Sequence, residues 1–334
     1  MPRVLSLLLL LLLSGAALFW GSVSLPASEV WHALCGAAPS GDTASYIVMQ
    51  SRLPQLLTAI LAGGALGVGG LAMQTTFSNP LADPSLLGVN AGASLGAAVA
   101  MLWLGGSLSA PGLSLGGHAL TVLAAFAGAA GVILLLILCA SALRGTLHLL
   151  VAGVMVSFIV SSFVSILNYF ATAQGVQSYV VWGLGDFSGV GMDALPAFAA
   201  LLAAGVLPVV AQTKALNALL LGEDYARNLG VRIRTTRNVL LLSTGLLSAV
   251  VTAACGPIAF VGLAAPHVAR LTTHSADHRR LLPATLLWGA NLALLALLVA
   301  RMPADGGLLP VNAVTPLFGV PVVLFLLFRR RQMP

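Results

Sequence analysis

Charge is what this chain of 334 residues has least of. Asp, Glu, Lys and Arg together make up 7% of it, and lysine occurs once, as Lys214. Soluble domains carry roughly 25% charged residues. With hydrophobic residues at 59% and a mean hydropathy of +1.01, composition alone points to a polytopic membrane protein. Cysteine is nearly missing too. Cys35, Cys139 and Cys255 are scattered and form no CxxC pair, so neither a disulfide framework nor a thiolate metal cluster is indicated. Alternation at period two is absent, which argues against a membrane barrel. No tandem repeat or composition shift divides the chain, so 1–334 reads as one transmembrane domain.

What is present is a series of apolar runs. A span needs roughly 20 apolar residues, and breaks at polar, Pro or Gly residues delimit ten runs: 4–24, 53–74, 86–106, 118–140, 147–170, 194–213, 238–255, 257–270, 281–301 and 313–328. The expected fold is all-α, with about ten transmembrane helices, the eighth too short to cross unaided. The first run resembles a secretory signal behind Arg3, but nine further spans follow it, and an uncleaved helix is expected. With the amino terminus in the cytoplasm, Arg3, Arg144, Lys214, Arg227, Arg232, Arg234, Arg237, Arg270, Arg279, Arg280 and Arg329 to Arg331 lie inside. Only Arg52 and Arg301 lie outside. That asymmetry follows the positive-inside rule and puts both termini in the cytoplasm. It also accounts for the net charge of +6 without nucleic acid.

The spans lack charge at their centres. Ion-coupled carriers usually need an intramembrane carboxylate or histidine, so a secondary carrier is disfavoured, although sodium sites built from carbonyls remain open. An intramembrane enzyme is disfavoured as well. Ser94, in "GASLG", has no mid-span histidine to activate it. His274 and His278, four apart, could hold a metal on a helix or simply occupy a polar loop. No catalytic residue and no metal site is expected. Lys214 follows "AQT" rather than a glycine-rich phosphate loop, so any ATP hydrolysis belongs to another chain.

Two stripes mark helix faces. Gly88, Gly92, Gly96 and Ala100, and likewise Gly63 and Gly67, form smooth surfaces for close helix packing. Ser157, Ser161, Ser165, Asn168 and Thr172 share a face of the fifth span. Such hydroxyls either bond back to the preceding turn or line a hydrated pathway, and a pathway is the expectation.

One connection gathers a quarter of the charge. "LLLGEDYARNLGVRIRTTR", Leu219 to Arg237, holds six of the 24 charged residues. "RLPQLLTAILAGGALGVGGLAMQTTFSNPLADPSLLGVNAGASLG" (from Arg52), "LGEDYARNLGV" (from Leu221), "GPIAFVGLAAPHVARL", "DHRRLLPA" and "LPVNAVTPLFGVPVVLFLLFRRR" resemble, in order, stretches of the iron-complex and cobalamin ABC importer permeases. The resemblance runs from about Arg52 to Arg331. It implies the type II importer fold, with two copies of the permease around a central pathway. Two cytoplasmic ATPase subunits would use ATP and Mg, and a periplasmic or lipid-anchored binding protein would deliver the cargo at the inner membrane of a bacterium. This chain would bind no cofactor of its own.

The resemblance also assigns residues. The segment at about 215–231 would seat in the ATPase as two short helices, through Leu219, Leu220, Leu221, Gly222, Glu223 and Arg227. Arg52 and Arg301 would dock the binding protein, or else snorkel at the interface. The cobalamin branch has a further arginine where this chain has Gln55. Trp182 would shape the cargo entrance together with the serine stripe, and Thr146 would form the cytoplasmic gate. The expected cargo is an iron complex, a ferric siderophore or haem, with cobalamin as the alternative.

Overall fold

The apolar runs fold as helices because a backbone in hydrocarbon must satisfy its own polar groups. The computed structural model describes residues 2–21, 23–36, 43–110, 113–142, 146–302 and 309–330. In chain order these form α1 (Pro2–Phe19), α2 (Ala27–Leu34), α3 (Thr43–Ile47), α4 (Leu53–Thr76), α5 (Val89–Ala98), α6 (Gly117–Ala142) and α7 (Thr146–Phe170). There follow α8 (Ala173–Gly183), α9 (Leu195–Ala211), α10 (Thr213–Leu219), α11 (Glu223–Asn228) and α12 (Ile233–Cys255). The last three are α13 (Val261–Thr273), α14 (His278–Ala300) and α15 (Val311–Arg330). A two-stranded antiparallel hairpin, β1 (Ser107–Ala110) with β2 (Leu113–Gly116), joins α5 to α6. The sequence reading did not foresee it.

Five stretches are long and apolar enough to cross a bilayer alone: Thr43–Thr76, Gly117–Cys139, Val151–Phe170, Ile233–Cys255 and His278–Ala300. Leu195–Ala211 and Thr213–Leu219 form one span bent by 54°. Val4–Phe19, Val89–Trp103 and Val311–Val323 are shorter apolar helices. With the 13-residue α13, these are the ten segments expected, and the eighth is short as anticipated.

Several boundaries moved for physical reasons. The second span begins at Thr43 rather than 53, because a π turn at Val48–Arg52 carries the helix from α3 into α4. The third begins at Val89, since Gly88 is left-handed (φ 80°) after a 3-10 turn at Pro84–Leu87. The eighth begins at Val261 because Phe260 is also left-handed, at φ 66°. Asp83 caps the 3-10 turn by accepting the N–H of Ser85 at 2.9 Å. Burial pushes its carboxyl above the usual range.

The nearly wholly buried α4 is the axis of the bundle, packed by α14, α13, α12 and α9. The glycine stripes serve packing, as expected. A methyl at Gly96 would overlap the Ala124 carbonyl of α6, and one at Gly70 would overlap the Gly262 backbone of α13. Small residues let these backbones touch. Toward the α10 end of the bundle, Val68, Leu71, Leu216, Leu240 and Leu281 form one apolar cluster, so α10 is rooted in the transmembrane core.

Candidate functional site

Three regions of the bundle carry the expected roles. The first is the charged connection, which folds as an elbow. α10 follows the break after α9, and Gly222 turns the chain at φ 103°, a conformation open to glycine. Glu223 and Asp224 begin α11, where the helix dipole favours anions, and Gly230 ends it at φ 84°. The expected layout holds within a few residues.

The elbow's side chains divide into an inner and an outer set. Leu219, expected in the docking face, is 8% exposed and packs against Ala218 and Ala226, with Val231 and Ile233 alongside. It holds the elbow together instead of facing outward. Leu220 and Leu221 do face outward, Leu221 with 65% exposed. They are joined by Tyr225 and Leu229, the latter 60% exposed, which the sequence reading passed over. The signal was available, because Leu221, Tyr225 and Leu229 recur at steps of four. Glu223 pairs with Arg237 at 2.5 Å, tying α11 to α12, while Arg227 lies 3.9 Å from Asp224 on an open surface. Beside the elbow a cleft of about 590 Å³ is lined by Thr75, Leu219, Leu220, His267, Arg270 and His274, among others. Arg270 donates to Gln74 Oε1 at 2.6 Å, which fixes the guanidinium on the wall.

The second region is the opposite end of the bundle. Arg52 and Arg301 were expected as exposed rim charges, and the fold places them otherwise. They are 3% and 5% exposed. Arg52 lies inside the continuous helix Thr43–Thr76 and donates to the carbonyls of Leu18 (2.7 Å), Phe19 (3.1 Å) and Val23. Arg301 donates to Ala17 O (2.8 Å), Trp20 O (3.3 Å) and Gln55 Oε1. Two guanidinium forks thus satisfy the terminal carbonyls of α1, at the end where its dipole is negative. This capping ends α1 at Phe19 rather than at 24. Gly21 makes room, since a Cβ there would lie 2.8 Å from Arg52 Nε. Gln55, which stands where the cobalamin branch has arginine, serves as an acceptor.

The third region is α7. Its exposed face is broad and includes Ser161 and Ser165 together with Phe158, Phe163 and Ile166. Ser157 donates to Gly153 O at 3.0 Å, Ser165 to Ser161 O at 2.9 Å and Asn168 to Val164 O at 3.0 Å. These polar groups bond back to the preceding turn, so the Ser157 and Ser165 hydroxyl protons are used within the helix. Thr172 leaves the stripe to cap α8, accepting from Gly175 N at 3.2 Å. Trp182, assigned to the cargo entrance, is half-buried. It stacks on Tyr179 at 6.1 Å between centroids and packs on the α5–α6–α12 core. Tyr179 in turn reaches the Ser94 hydroxyl. Thr146 is the first residue of α7, and its side chain, with the gate assigned to it, lies outside the described residues.

His274 and His278 do not share a helix. His274 ends α13 in a left-handed conformation, and His278 begins α14. Among the described residues no cluster of three His, Cys, Asp or Glu could hold a metal.

Comparison with known proteins bears on the whole chain. It is 39% identical over 324 residues to the vitamin B12 import system permease protein BtuC of Shigella boydii serotype 18, covering 97% of this chain and 95% of that one. It is 38% identical to BtuC of Escherichia coli O9:H4, with the same coverage. The BtuC of Salmonella typhi is 39% identical over 96% of this chain and 94% of its own length. Among solved structures, a metal-chelate type ABC transporter in an inward-facing conformation superposes with a TM-score of 0.84 at 28% identity, covering 98% of this chain and all of that one. PsaBC of Streptococcus pneumoniae shares the fold at a TM-score of 0.55 and 16% identity, over 82% of this chain and 90% of that one. The FecCD transport family model matches residues 7–329. The ten-helix order, the elbow between α9 and α12 and this full-length match agree, and the chain belongs to the FecCD transport family.

Proposed function

We propose that this chain is the membrane permease of an ATP-driven cobalamin importer. The observation that carries the reading is 38–39% identity, along nearly the whole chain, to permeases named for vitamin B12 import. The iron complex favoured on sequence takes second place. It rested on a family resemblance that covers both cargos, whereas the full-length relatives above carry the vitamin B12 name.

In this reading two copies meet across the exposed faces of α7, and the cargo passes between them. Ser157, Ser165 and Asn168 donate to the helix backbone, and Ser161 lies on the same exposed face. They offer a large polar solute weak acceptors rather than a tight site, which suits a path that must release its cargo. The outward Leu220, Leu221, Tyr225 and Leu229 seat a separate ATPase subunit, which binds ATP and Mg and does the hydrolysis. A binding protein delivers from the Arg52–Arg301 end, which faces out of the cytoplasm if both termini face in. Any pairing of those arginines with acidic groups on that protein must compete with the carbonyls of α1.

The test is uptake in proteoliposomes holding the permease, its ATPase and its binding protein. Radiolabelled cyanocobalamin should accumulate only with ATP, and excess ferric siderophore or haem should not compete. Accumulation of an iron complex without cobalamin would restore the first cargo reading. Uptake that persists without the ATPase would replace the importer with a carrier.

A further inference from the structure

Near the elbow stands a buried histidine that transport by the α7 path leaves unused. His278, the first residue of α14, is 1% exposed, and its ring is held from both sides. Nδ1 lies 2.8 Å from Oδ1 of Asn217 in α10. Nε2 lies 2.8 Å from Oγ1 of Thr75, in the last turn of α4. Asn217 is fastened twice more. Its Oδ1 accepts the backbone N–H of His278 at 2.8 Å, and its Nδ2 donates to Asp277 Oδ1 at 2.6 Å. That carboxylate also accepts the N–H of Arg279 at 3.0 Å, capping α14.

The donors can be assigned. An amide facing a carboxylate must turn its nitrogen toward it, so Asn217 turns its oxygen to the ring. Nδ1 then carries the ring proton, and Nε2 accepts from the Thr75 hydroxyl, whose single proton it shares with the Leu71 carbonyl at 3.0 Å. One directed chain runs from Thr75 through His278 and Asn217 to Asp277, joining α4, α14 and α10. The other ties of the elbow are of a different kind. α9 meets α10 at a backbone break bent by 54°, and α11 reaches α12 through a partly exposed ion pair. Leu216 packs in the core cluster, but apolar contact is non-directional and lets helices slide. Among the described residues, this hydrogen-bonded chain is the directional tie from α10 to α14 and α4.

We propose that Asn217, acting through His278 and Thr75, is the positioning residue that converts displacement of the α10–α11 elbow into displacement of α4 and α14. The proposal rests on the reading of the elbow as the ATPase seat. Asn217→Ala removes every link that α10 makes to this chain at once, leaves the Thr75–His278 contact, and keeps the outward docking side chains in place. Contiguous side-chain networks of this sort transmit coupling between sites, and single changes in them alter it measurably.

The experiment uses the full transporter in proteoliposomes and reads three quantities: ATPase retained on the permease, ATP hydrolysis, and cyanocobalamin uptake per ATP hydrolysed. Asn217→Ala should keep the ATPase bound and hydrolysing while uptake per ATP falls roughly tenfold. Asn217→Asp, which opposes Asp277 with like charge, should fall equally. The double variant N217D/D277N, which restores a donor facing an acceptor, should recover most of the loss. Unchanged uptake per ATP in Asn217→Ala would overturn the proposal. Loss of bound ATPase in Asn217→Ala, or no recovery in the double variant, would overturn it too, by reducing Asn217 to a support of the elbow's fold. The seat reading fails separately, if Leu221→Asp retains the ATPase.

Discussion

Truncating the outer side chains of the elbow tests how the permease holds its ATPase. Leu221 and Leu229 are 65% and 60% exposed. Burying a leucine completely is worth about 1.5–3 kcal/mol, so docking has roughly 1–2 kcal/mol per side chain left to gain. L221A/L229A together should therefore weaken association by about 2–3 kcal/mol, roughly 30- to 150-fold in Kd. Leu219→Ala is the control. Its side chain already packs inside the elbow, so its cost, about 2–5 kcal/mol for a buried leucine, should appear in the thermal unfolding of the permease. The assay is titration of the isolated ATPase onto permease in lipid nanodiscs, with unfolding of each variant measured in parallel. A Kd for L221A/L229A within about threefold of the parent would refute the reasoning, since a shift that small is well under 1 kcal/mol. The elbow's exposed apolar face would then belong to another contact.

Four further outcomes follow from the geometry. Arg52→Ala and Arg301→Ala should each lower thermal stability, by about 1.5–3 kcal/mol per lost charged hydrogen-bonding group, and expose the end of α1 to proteolysis; Arg52→Lys should not rescue, because an ammonium cannot fork among three carbonyls, and normal stability in all three would contradict the capping role. Gly70→Ala should cost about 1–3 kcal/mol or more by forcing α4 from α13, whereas Gly131→Ala, with nothing near its Cβ position, should be neutral or better; equal effects would dissociate the glycine stripes from packing. Cysteines at Ser161 and Ser165 in the assembled transporter should react with a water-soluble thiol reagent to an extent set by nucleotide state, while a cysteine at the buried Val160 stays protected; unreactive serine positions in every state would move the pathway off this face. The Arg279 N–H, and then the Asn217 amide, hold the Asp277 carboxyl below its ordinary value of 3.8, so its stabilising contribution is complete above that value and is lost as pH falls through the lower folded value; Asp277→Asn should abolish this acid limb and leave the profile at neutral pH flat.

How much of this was legible in the residues depended on whether a property is local. Ten apolar runs, thirteen inside basic residues against two, and "LGEDYARNLGV" between the sixth and seventh spans were enough for the helix order, the expected orientation and the elbow. Bilayer thickness, charge translocation and helix capping all act over a few residues at a time. The glycine steps along α4 and α5 gave their packing faces for the same reason.

What a side chain faces is decided between segments far apart in sequence, and there only the tertiary structure could speak. Two arginines isolated at one end looked like free charges, and they proved to be caps for carbonyls 29 to 34 residues and more than 280 residues away. Leu219 looked equivalent to Leu220 and Leu221 until the turn at Gly222 folded α11 onto it. Nothing in the sequence announced that Trp182 stacks on Tyr179 and packs on the α5–α6–α12 core. Thr75, Asn217 and His278 carried no motif at all, since their meaning comes from three helix ends converging. A sequence states how polar a segment is, but the partner of each polar group is settled by which helices pack together.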